Sequence, residues 1–292
     1  MSVESRRLAP AAIPIVVGYA LREALRRKVF AVVLVLTVVF LGLNWLTNHY
    51  AFRDVRSAGA PLGVDATTFV GATLLGLAMF ATLFLGVVLA VFLTLGAVRG
   101  DAERGLLQPL VVRPLGRAHF LAARWLGAVA VCVPYVLAVY AAAVLETGLV
   151  GGWWPDEKIV PGLELAAGVA LVAAFSLLGS VFLAATANGI AVFMVFGAGL
   201  VAGLLGTVGH ALDSTTLKRA AEVAAWILPF EALYQDALRG ITASVTGVTG
   251  FVLELGPFGG AYTGGIAVRL WALAYFVLVG ALAVVAFQRR DL

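Results

Sequence analysis

The residues that could do chemistry are few and unevenly spread. The densest group is the stretch ERGLLQPLVVRPLGR, residues 103–117, with Asp101 just before it. Asp101, Glu103 and Arg104 stand ahead of a short apolar run, and Arg113 and Arg117 stand after it. Acids before a helix and bases after it complement the helix dipole. Pro114 and Gly116 stop such a helix, and Gly105 sits at its entry. The run predicts a short helix over about 103–113 with an apolar face and charged ends. Two readings stay open from charge alone. The stretch is either a docking element held by another protein or a loop that only follows the distribution of positive charge across a membrane.

The other reactive groups form no recognisable set. His49, His119 and His210 share no helical metal-ligand spacing, so no metal site is expected. His210 and Asp213 are close enough in sequence to form a local pair. The one cysteine, Cys132, lies in an apolar run and reads as a small buried hydrophobe. None of the three lysines, Lys28, Lys158 and Lys218, follows a glycine. The Gly-x-x-x-x-Gly-Lys-Ser/Thr loop that cradles nucleotide phosphates is therefore missing. No catalytic triad or paired catalytic carboxylates stand in a convincing context. Glu146 and Glu164 fall near span ends and read as interfacial, which argues against a proton-driven carrier.

These groups must be positioned by a very apolar chain. Of 292 residues, 62% are hydrophobic and 12% charged, with a mean hydropathy of +1.02. A water-soluble domain has about 25% charged residues, so this chain reads as an integral membrane protein. Period-2 alternation is missing, which makes the spans helices. Six are expected, over about 29–46, 67–98, 125–149, 163–187, 189–208 and 266–287, in one transmembrane domain. The second would reach about 48 Å if helical throughout, against a hydrocarbon core of about 30 Å. Asn188 and Gly189 read as the tight turn between the fourth and fifth spans, and Pro134 as a kink in the third.

Orientation follows from the basic residues. Thirteen of the 20 Lys and Arg residues fall on one side, with five acids, and seven fall on the other with eleven acids. The basic side is expected in the cytoplasm, with both termini there. The net charge of +4 is no nucleic-acid footprint. An amphipathic helix over 13–28 is expected to lie along the membrane surface ahead of the first span. On the opposite side, residues 213–265 are expected to form two short interfacial or re-entrant helices interrupted at Pro229, then a glycine-rich loop. In the fifth span, Gly199 and Gly203 make a small-x-x-x-small pair that permits close helix contact, within one subunit or between two.

The stretch over 103–117 resembles the motif of ABC transporter permeases of the type-2 (ABC-2) exporter class. Those chains carry Glu, Gly, a short apolar helix, then Arg-Pro-hydrophobe-small-Arg, just after the second span. Here the matching residues are Glu103, Gly105, Arg113, Pro114, Leu115, Gly116 and Arg117, with Pro109 where Leu is usual. The helix over 13–28 looks like that family's elbow helix. The segment LPFEALYQDAL is similar to its re-entrant helices, and the ending FQRRDL is familiar in it. The nearest group is the copper-enzyme-maturation type of permease. The resemblance implies that Asp101, Glu103, Arg104, Gly105, Arg113, Pro114 and Arg117 form a coupling helix resting on a separate ATPase. It implies two ATPase subunits carrying ATP and magnesium, with no cofactor in this chain. It also implies a second permease copy or related permease, with the first and fifth spans at the contact. A prokaryotic plasma (inner) membrane is the expected location, and a lipid-like or amphipathic molecule the expected cargo. Two alternatives share the sequence: a membrane subunit that transmits force without transport, and an intramembrane hydrolase.

Overall fold

A computed structural model describes residues 28–58, 64–95, 117–255 and 264–289. The elbow helix expected over 13–28, Lys28 apart, and the coupling helix expected over 103–113 lie outside the described residues. So do Asp101, Glu103, Arg104, Gly105, Arg113 and Pro114. Arg117 is the first residue of a described helix.

The described chain is all helical. The long helices are α1 (Lys28–Ala58), α2 (Ala66–Thr94), α3 (Arg117–Gly151), α4 (Val160–Phe182) and α5 (Ala185–Ala211). Three short ones follow, α6 (Thr215–Ile227), α7 (Pro229–Gly240) and α8 (Gly247–Leu255), and then the long α9 (Gly265–Gln288). Six helices, α1 to α5 and α9, are long and apolar enough to cross a membrane. Their outward faces are apolar as well. Val35 and Val38 on α1, Met194 on α5 and Leu270 and Leu273 on α9 are all exposed. Such faces suit lipid, where burying polar groups matters more than hiding apolar ones.

Helices α2 and α4 form the centre, with α3 packed on both. Leu75, Met79, Leu83 and Val87 of α2 and Leu165, Val169 and Val172 of α4 are buried. Gly86 lets the three helices close. A Cβ there would stand 2.7 Å from Val136 Cγ2 of α3 and 2.9 Å from Val169 Cγ2 of α4. Asp65 starts α2 by accepting bonds from the amides of Thr67 and Thr68, at 3.0 and 3.3 Å. The Thr68 hydroxyl donates to the same carboxylate, which holds it below the usual carboxylate range. Helix α3 continues through Pro134, at the cost of one backbone hydrogen bond.

Several expected boundaries differ, and α3 starts eight residues before the expected 125. Helix α1 runs twelve residues past the expected end at 46, to Ala58. The added residues include Asn48, His49, Arg53, Asp54 and Arg56, so hydropathy ends before the helix does. The turn before α5 falls at Leu183 and Ala184, both extended, and not at Asn188–Gly189. Asn188 sits inside α5, buried, and donates to Ser176 O at 2.8 Å and Leu95 O at 3.3 Å. Its amide serves neighbouring backbone, which a turn reading could not anticipate. Finally, α8 occupies part of the segment expected as glycine-rich loop.

Candidate functional site

The segment between α5 and α9 holds the main polar structure of the described chain. Pro229 ends α6 and opens α7, because proline suits the first helical turn and not the interior. Every residue from Pro229 to Leu238 is buried. Helix α7 therefore sits inside the bundle against α4, α9 and α5, although it carries Glu231, Gln235 and Asp236.

Buried charges need partners, and Asp236 has two. Its Oδ2 takes a bond from Arg269 Nη2 at 3.2 Å. Its Oδ1 takes one from the amide of Gly265, also at 3.2 Å. Arg269 Nε donates to Glu164 Oε1 at 2.7 Å. One guanidinium on α9 thus joins carboxylates from α4 and α7. Glu164, near the start of α4, is only 4% exposed, while Arg269 is 43% exposed, so protein covers the carboxylate side of this ion pair more than the cation. Arg269 is the fourth residue of the sixth expected span and was missed as a site residue. That charge in an apolar run was the available signal, since a cation there calls for acids on facing helices.

The far end of α7 is held by the α3–α4 connection. The Asp156 carboxylate accepts from the backbone N–H and the hydroxyl of Ser244, both at 2.7 Å. The amide of Glu157 donates to Gly240 O at 3.2 Å. At the near end, Phe230 stacks on Phe196 of α5, with ring centroids 5.6 Å apart.

The Gly199–Gly203 face of α5 is turned to α7. A Cβ on Gly199 would lie 2.5 Å from Phe230 Cζ, and one on Gly203 would overlap Glu231 Oε1. This small-residue pair packs inside the chain. Glu231 is 3% exposed. Its Oε1 accepts from Gln235 Nε2 at 2.7 Å, while its Oε2 has no hydrogen-bond partner among the described residues. Burial pushes this carboxyl up to about 8, against the opposing effect of the Gln235 bond. Glu231 and Gln235 form one wall of a cavity of about 310 Å³ between α5, α6 and α7.

The histidines stay apart. His49 stacks on Trp45 of its own helix. His210 Nδ1 lies 2.9 Å from Gly206 O. Asp213, with φ of 49°, leaves the helical path and pairs with Lys218 Nζ at 2.6 Å. The expected His210–Asp213 pair forms through the backbone, with the Asp213 amide donating to His210 O at 3.3 Å, while the bond from Lys218 holds the Asp213 carboxyl below its ordinary value.

Six apolar spans around a buried polar helix define a multi-pass, all-helical membrane protein. The chain belongs to the ABC-2 family transporter proteins, whose family model matches residues 15–292. It is also 30% identical over 184 residues to the probable ABC transporter permease protein NosY of Stutzerimonas stutzeri. That match covers 60% of this chain and 62% of the relative's length.

Proposed function

We propose that this chain is the transmembrane permease subunit of an ATP-driven ABC exporter, coupled to a separate ATPase and moving a lipid-like or amphipathic cargo. The family match over residues 15–292 carries this reading. The lack of a phosphate-binding Gly-x-x-x-x-Gly-Lys-Ser/Thr loop in the sequence supports placing ATP and magnesium on a partner. Residues 101–117 dock an ATPase subunit on the cytoplasmic face, where both termini lie, and the assembled transporter carries two such subunits. The site is the plasma (inner) membrane of a prokaryote. A second copy of this chain or a related permease completes the path, because one six-span unit packed around α2 and α4 leaves little central room.

The test is reconstitution. The chain and its partner ATPase in liposomes should move a fluorescent phospholipid or amphiphile between leaflets when ATP is added. ATP hydrolysis stimulated by the chain, with no movement of any amphiphile, would point to a force-transmitting subunit instead. Turnover of a lipid or peptide with no ATPase present would point to a hydrolase.

A further inference from the structure

The cavity between α5, α6 and α7 combines two features that are individually ordinary and jointly costly. It is lined largely by small residues, among them Ala202, Gly206 and Ala225. Into it faces Glu231, a carboxylate almost wholly removed from solvent, with one oxygen unpartnered among the described residues. An ionised carboxylate left unpaired in such a place is strongly disfavoured. The helix spacing makes room for it deliberately, since any side chain at Gly203 would displace Glu231 Oε1. A structural acid would be expected to find a cation within the fold, as Glu164 and Asp236 do with Arg269.

Among the described residues no cation is bonded to the free oxygen of Glu231. His210 of α5 and Lys218 and Glu222 of α6 line the same cavity. Lys218 Nζ is engaged with Asp213 at 2.6 Å. Tyr234 neighbours Glu231 on α7 and adds no positive charge. On the other flank of α7, Glu164 of α4 and Arg269 of α9 are occupied around Asp236. The cavity opens past His210 and Glu222, both exposed. Glu222 adds a second negative charge at this mouth. A metal ion is a poor match, because no three His, Cys, Asp or Glu side chains among the described residues converge closely enough to hold one.

We propose that this cavity binds an organic ammonium group carried on an apolar body, with Glu231 Oε2 accepting the ammonium hydrogen bond and the walls of α5 and α6 holding the apolar part. The volume of about 310 Å³ lies at the lower end for small-molecule sites. The proposal concerns this chain alone and stands whether or not the chain exports. Burial raises the Glu231 carboxyl to about 8, so at neutral pH the empty site holds a proton. Docking of the ammonium stabilises the carboxylate, and that proton leaves to solvent. Binding should therefore strengthen as pH rises toward 8, and level off above it.

The experiment uses the full chain in phosphatidylcholine nanodiscs, titrated with dansylcadaverine, a primary amine on a fluorescent apolar body. Saturable binding is expected, with N-butyl dansylamide, its uncharged analogue, binding about tenfold more weakly or worse. Octylammonium should compete and octanol should not. Affinity should rise by up to about tenfold per pH unit below the carboxyl's midpoint. Glu231→Gln should weaken dansylcadaverine about tenfold or more and abolish the pH dependence, while Glu222→Gln at the rim should change affinity about threefold at most. Phosphatidylethanolamine in the nanodisc tests whether the ammonium comes from a lipid headgroup: competition names a lipid, and its lack names a free amphiphilic amine. Equal binding of charged and uncharged dansyl probes, no saturable binding, or wild-type affinity in Glu231→Gln would each overturn the proposal. The comparison of probes and the pH series need only the wild-type chain, so a poorly folding variant leaves the test intact.

Discussion

Arg269 and Glu164 are 105 residues apart in the chain and meet with Nε and Oε1 at 2.7 Å. The same guanidinium reaches Asp236 at 3.2 Å. This arrangement fastens α7, which lies between α4 and α9 with its charges buried. Arg269→Gln should therefore loosen α7 rather than only remove a surface charge. The side chain is 43% exposed, so the expected loss is about 1–3 kcal/mol, below that of a fully buried pair. Thermal unfolding in detergent measures it. The double variant Glu164→Gln with Arg269→Gln should lose less than the sum of the single losses. Additive losses would mean that the two groups do not act together.

Packing of α5 on α7 depends on the small face of α5. Gly199→Val places a branched side chain where a Cβ alone would come within 2.5 Å of Phe230 Cζ. Overpacking of this kind costs about 1–3 kcal/mol. Trimming the ring, as Gly199→Val with Phe230→Leu, should recover part of the stability. Failure of the second change to help would show that Gly199 meets something other than Phe230, such as a second copy of the chain.

Asn188 stabilises the junction of α2, α4 and α5 through backbone carbonyls. Asn188→Leu removes the donor to Ser176 O and Leu95 O. A loss of about 1–2 kcal/mol is expected, with faster proteolysis near residues 183–184 as its local readout. An unchanged proteolytic pattern and unchanged unfolding would assign Asn188 no such role.

The charged stretch before α3 carries the expected coupling to an ATPase. Glu103→Ala and Arg113→Ala should leave expression and membrane insertion near wild type and weaken capture of the partner ATPase by about 30-fold or more. Gly105→Pro should be worse, because it alters the backbone entering the expected helix. Asp54→Ala, at the opposite side in the expected topology, is the control. If both coupling variants match Asp54→Ala in binding and in stimulated hydrolysis, the stretch only sets topology.

Much of this protein could be read without its structure. The six spans, the all-helical class and the break at Pro229 follow from local properties. Hydropathy over about 20 residues and the missing N–H of proline depend on nearby residues alone. Helix ends were less legible. Helix α1 continues to Ala58 because hydropathy reports where lipid solubility stops, not where backbone hydrogen bonding stops. Asn188 looked like turn chemistry because an Asn-Gly pair usually is, and the carbonyls it satisfies lie 12 and 93 residues away.

The polar core was decided by tertiary structure. The sequence contains Glu164, Glu231, Asp236 and Arg269, and the membrane environment requires that buried charges be matched. Which acid meets the arginine depends on how α4, α7 and α9 pack, and local sequence carries no record of that. Arg269 takes Glu164 and Asp236 because those three helices converge at their polar ends. Glu231 is turned instead toward α5, where Gly203 leaves room for it. Charge balance and span number are sums along the chain, so the sequence by itself determined them. Pairing is a relation between distant residues, and only the packed helices decided it.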